Sequence, residues 1–113
     1  MRIRTTTAVA ALACVLTACS SSDSSAKPAD PRKLDDAASI ACNDFARGYK
    51  AAQTQHARIA LADKVNRWAQ QSHTDGIAAN ATALARGSEA SAGSWQIGAD
   101  AFAQSCLDAG WKP

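Results

Sequence analysis

Two stretches of this 113-residue chain carry the same apolar signature, and a cysteine sits in each. Ala38, Cys42, Phe45 and Tyr49 recur at i, i+4, i+7 and i+11, and so do Trp95, Ala99, Phe102 and Cys106. That spacing places four side chains on one stripe of an α-helix. Any fold must bury both stripes.

Two further stripes lie between them: Ala57, Leu61, Val65 and Trp68, then Ile77, Ala81, Leu84 and Ser88. The chain therefore reads as four helical segments, near 31–53, 55–71, 75–90 and 95–109. Asp30 before Pro31 supplies the first start, with Arg32 and Asp36 spaced as an i,i+4 ion pair. Gly48 brings a bend or an early end, and Thr54 caps the second segment, where Asp63 and Arg67 form another such pair. The break between these two is weakly signalled, so three helices or four satisfy the pattern. Residues 72–76, SHTDG, make a firmer break, because their side chains compete for backbone hydrogen bonds. Gly93-Ser94 separates the last two segments. Gly110 suits a left-handed C-terminal residue, with Trp111 folding back onto the last turn.

No strand alternation competes with this reading. Alanine is abundant, which favours helix and close axes and equally fits a GC-rich genome. The large core candidates are few: Phe45, Tyr49, Leu61, Val65, Trp68, Ile77, Leu84, Trp95, Phe102, Leu107 and Trp111.

Residues 1–18 have a different character. Arg2 and Arg4 precede an uncharged run from Thr5 to Ala18, too short to span a bilayer and laid out as a secretory signal. Leu16-Thr17-Ala18-Cys19 resembles the lipobox of bacterial lipoproteins. That resemblance implies cleavage before Cys19, a diacylglycerol on its thiol, and a place on the extracytoplasmic face of the cell membrane. The composition is similar to that of small lipoproteins from GC-rich Gram-positive bacteria. Residues 19–30 then form a serine-rich tether; its ten residues 20–29, as a flexible coil, span roughly 18 Å. The folded domain is 31–113.

With Arg2 and Arg4 removed, the twelve basic residues fall to ten, against ten acidic ones. A neutral mature chain has no net field to recruit nucleic acid. Cys14 leaves with the signal and Cys19 carries the lipid, so Cys42 and Cys106 remain to form one disulfide in an oxidising compartment. The alternatives, a metal pair or two free thiols, find no support, because two cysteines and two distant histidines lack the spacing of a zinc site. A bridge from mid-first to late-last segment makes those helices neighbours, with the start of the first overhanging the bundle. The expected fold is all-α, a small up-down bundle of three to four helices closed by one disulfide.

No catalytic set assembles from the sequence, and no cofactor or metal site is expected. His56 and His73 lack a carboxylate or cysteine at helical spacing. Adjacent Asp35 and Asp36 point in different directions and read as favourable charges near a helix N-terminus. No serine lies in a G-x-S-x-G turn, and no glycine-rich phosphate loop occurs. Two groups remain as candidate interaction residues. Arg47, Lys50, Arg58, Lys64 and Arg67 gather positive charge, suited to anionic lipid or an acidic partner. Trp68, Trp95 and Trp111 fill the core or, where exposed, anchor a partner. The expectation is a monomeric, non-enzymatic lipoprotein that binds an envelope protein. The alternative is a carrier of a small apolar ligand or lipid.

Overall fold

The computed structural model describes residues 30–113; the expected signal at 1–18, Cys14, Cys19 and residues 20–29 of the expected tether lie outside them. Four helices follow in order: α1 (Asp36–Gly48), α2 (Gln55–Ala69), α3 (Ile77–Ala90) and α4 (Ala92–Asp108). All four expected stripes face inward. Ala38, Cys42 and Phe45 of α1, Leu61 and Val65 of α2, Ile77, Ala81, Leu84 and Ser88 of α3, and Trp95, Ala99, Phe102 and Cys106 of α4 are buried. Alanines 41, 52, 62 and 69 complete the core, which is why so few large side chains suffice.

Contacts between neighbouring helices fix their directions. Asp35 meets Ser72 and Asp44 meets Lys64 between α1 and α2. Gln70 meets Ala78 and Gln55 meets Glu89 between α2 and α3. Residue numbers rise on one helix as they fall on the next. α3 and α4 pair likewise: Gly87 backs onto Ser94, and Gly98 onto Ala83 and Leu84. Between α1 and α4, Tyr49 meets Gln96 and Cys42 is bridged to Cys106. Each neighbouring pair is therefore antiparallel, an up-down-up-down bundle. The disulfide spans 64 residues with a Cα–Cα separation of 6.0 Å, as the paired stripes require.

Several boundaries differ from expectation for tertiary reasons. α1 starts at Asp36 and not at Pro31, because Asp35 is the better-connected cap. Its Oδ1 accepts the Ala38 N–H at 2.8 Å and the Ser72 hydroxyl at 2.8 Å, while Oδ2 accepts the His73 N–H at 2.7 Å. Asp30 makes a turn instead, accepting from the backbone of Arg32 and Lys33. Arg32 accordingly pairs with Asp30 at 3.4 Å and not with Asp36. The expected Asp63–Arg67 ion pair does not form, whereas Lys64 reaches Asp44 on α1 at 3.9 Å.

The start of the first segment, residues 31–35, does not overhang the bundle. The Asp75 N–H donates to the Pro31 carbonyl at 2.7 Å, and the Leu34 N–H to the Ala109 carbonyl at 3.2 Å. Residues 30–35 therefore lie across the end of the bundle. Thr74 secures the same strap: it accepts the Asp35 N–H and donates its hydroxyl to the Lys33 carbonyl.

α1 ends at Gly48, where a Cβ would come within 2.5 Å of Leu61 Cδ1, and Thr54 then caps α2 as expected. α3 and α4 meet at one residue. Ser91 ends α3 and caps α4 through its hydroxyl, which accepts the Ser94 N–H at 3.1 Å, so Gly93 lies inside α4 and does not break the chain. This corner is tight because Gly87 has no side chain to hold the two backbones apart.

Candidate functional site

The seam between α1 and α4 gathers Phe45, Tyr49, Phe102 and Trp111. Phe45 packs edge-on against Phe102, centroids 5.2 Å apart, and against Tyr49 at 5.3 Å. The Tyr49 hydroxyl crosses the seam to donate to Gln96 Oε1 at 2.8 Å. At the other end, α4 closes in a Schellman motif. The Gly110 N–H bonds the Leu107 carbonyl, the Trp111 N–H bonds the Cys106 carbonyl, and Gly110 takes φ +95°. This turn lays Trp111 back over the helix, and its indole N–H donates to Asn43 Oδ1 on α1 at 3.0 Å.

Between those two cross-links runs an open trough of about 310 Å³ over the disulfide, lined mainly by apolar atoms of Phe45, Ala46, Tyr49, Ala103, Leu107 and Trp111. Lys50 stands on its rim. Tyr49 and Lys50 also line a second, more polar cleft, which adds Arg58, Gln53 and Gln96 and has Trp95 in its wall. The two grooves thus share a border. No Asp or Glu side chain lines either one.

The expected interaction residues separate into distinct roles. Trp95 is core, 3% exposed. Trp68 and Trp111 are partly buried against the core, and only Trp111 borders the trough. Arg47, Lys50 and Arg67 are exposed, Lys64 is drawn to Asp44, and Arg58 is half-buried with its Nε–H donating to the Ala52 carbonyl at 3.1 Å. Of these cations the clefts gather two, Lys50 and Arg58. Leu107, expected in the core, is 49% exposed on the trough edge, because it follows Cys106 by one residue and so points about 100° away from the buried stripe. Asn43, Gln96 and Ala103 were not expected as site residues. No local pattern marks them, since each matters only through a neighbour on the other helix.

His56 and His73 are exposed, and His73 serves through its backbone N–H. Among the described residues no cluster of His, Cys, Asp and Glu is arranged to hold a metal ion. Asp36 lies in the first turn of α1. Among the described residues Asp35 is the one group whose titration is displaced. Desolvation pushes its pKa up, but hydrogen bonds from the Ala38 and His73 backbone and from Ser72, with the charge of His73, outweigh it and hold the carboxyl below its ordinary value. Asp35 is a structural clasp, since all its partners belong to the fold.

No described helix is long and apolar enough to cross a membrane. Comparison with protein-family models, with curated proteins and with solved structures finds no match to the chain.

Proposed function

We propose that the chain is a lipoprotein precursor whose mature form is a non-enzymatic binding module, tethered through Cys19 to the extracytoplasmic face of the cell membrane. What carries the reading is the division of labour among the cysteines. Cys42 and Cys106 are joined in the core, consistent with folding in an oxidising compartment, which leaves Cys19 of Leu16-Thr17-Ala18-Cys19 for acylation. The tether leads into the strap at 30–35, at one end of the bundle, so the helical faces stay open to an envelope partner. Half-exposed Trp111 and Tyr49 on the α1–α4 seam are anchors of the kind such interfaces favour.

Intact-mass analysis of the protein from its native membrane tests the anchor. The expected product starts at Cys19 and carries a diacylglyceryl mass, and Cys19→Ser abolishes both the acyl mass and the cut before residue 19. An unacylated amino terminus, or processing unchanged by Cys19→Ser, would overturn the reading.

The apolar trough favours a second reading, in which the bundle carries a small apolar ligand or lipid.

A further inference from the structure

We infer that the α1–α4 trough binds a single-chain anionic amphiphile: one alkyl chain ending in a carboxylate or a phosphate. The inference specifies the ligand class of the carrier reading and rests on it.

Three observations combine. The trough is apolar over its length, and at about 310 Å³ it falls at the small end of the ~300–1,000 Å³ common for small-molecule sites, room for one chain. Its walls are tied in place. The Asn43–Trp111 hydrogen bond braces one end and the Tyr49–Gln96 bond the other, while the disulfide fixes the floor. A preformed groove loses less conformational freedom on binding.

Charge then sets polarity. Charge comes from Lys50, which lines both grooves, and from Arg58, which lines the second cleft alone; among the described residues neither has a side-chain carboxylate within 4 Å, and no described acidic side chain lines either groove. An alkyl chain lying over the bridge would bring its head to Lys50, with Arg58 in the adjoining cleft. A cationic head would meet like charge there, and a neutral one would gain no ion pair.

Isothermal calorimetry on the oxidised mature chain, residues 19–113 with Cys19→Ala, which carries neither the apolar leader nor acyl groups, tests this without any membrane. Failure of the anchor reading therefore leaves the result untouched. The probes are dodecanoate, dodecyl phosphate, dodecanol and dodecyltrimethylammonium, each below its micelle concentration.

The expected result is saturable one-to-one binding of at least one anion. Dodecanol binds roughly tenfold more weakly and the ammonium more weakly still, a difference typical of charge-assisted contacts. Preference between carboxylate and phosphate identifies the head group. Lys50→Gln with Arg58→Gln brings anion affinity down to that of dodecanol. Ala46→Leu, on an exposed position of α1 that the fold tolerates, fills the trough and weakens every probe at least tenfold with the circular dichroism spectrum unchanged. Absence of saturable anion binding overturns the inference. So does dodecanol binding as tightly as the anions, or anion binding that survives Ala46→Leu.

Discussion

Replacing Gly87 by alanine sets helix propensity against tertiary packing with opposite signs. Gly87 lies inside α3, where alanine is the better helix former by about 1 kcal/mol, so the change viewed on an isolated helix is stabilising. In the bundle a Cβ at this position would come 2.5 Å from the Ser94 carbonyl oxygen and 2.9 Å from its carbon. Both are backbone atoms of α4, pinned by the single-residue corner at Ser91, and cannot swing aside as a side chain would. Inserting a methyl into such a contact costs up to about 3 kcal/mol. The net expectation is a loss of about 2 kcal/mol, which for a domain of this size lowers Tm by roughly 8–16 °C. Gly93→Ala is the internal control. Its Cβ would have only Ser91 Oγ nearby, at 4.0 Å, so propensity acts alone and the variant gains up to ~1 kcal/mol. Thermal and urea unfolding followed by far-ultraviolet circular dichroism, with the disulfide intact, reads both. If Gly87→Ala equals or exceeds the parent while Gly93→Ala behaves as expected, the close α3–α4 approach is wrong.

The disulfide closes a 64-residue separation, so Cys42→Ala with Cys106→Ala costs about 4 kcal/mol by loop-closure entropy, measured as the shift in urea unfolding free energy; a loss under about 1 kcal/mol refutes that account. Asp35→Asn keeps one acceptor oxygen for Ala38 and Ser72 but turns the other into an NH2 donor facing the His73 N–H, and lowers stability near neutral pH by about 1–2 kcal/mol. Because the folded pKa lies below the unfolded one, Asp35 contributes fully above its ordinary pKa and loses that contribution as pH falls through the depressed value. Urea titrations across pH should show the deficit of the Asn variant shrinking in acid, and a deficit constant across pH contradicts the clasp. Gly110→Ala meets no neighbour within 4 Å but must hold φ +95°, so it loses about 1 kcal/mol from backbone strain alone, and the same melts should show Trp111 fluorescence shifting toward solvent.

How much of this was legible in the sequence follows from the range of each interaction. Helical stripes are local: 3.6-residue periodicity placed Ala38, Cys42 and Phe45, or Trp95, Ala99, Phe102 and Cys106, on buried faces without reference to any partner. The same holds for the Thr54 cap and the Gly110 turn, which are complete within a few residues. Cysteine bookkeeping added the one long-range restraint, which with four helices implied an antiparallel bundle.

What the tertiary structure alone decided are the features in which two distant segments choose one another. Asp30 and Asp35 are equally good caps by local rules, and α1 begins at Asp36 because Asp35 also reaches Ser72 and His73, nearly forty residues away. Gly93 is a breaker by composition yet sits within α4, because Gly87 lets the α3–α4 corner close at Ser91. The trough belongs to the same class. Asn43, Tyr49, Gln96 and Trp111 have no shared pattern along the chain, and nothing local marks Lys50 and Arg58 as the cations that border the trough and its neighbouring cleft. Local sequence sets what each helix hides; packing sets which backbones touch and which charges are left facing an apolar groove, because those depend on distances that no single stretch of chain contains.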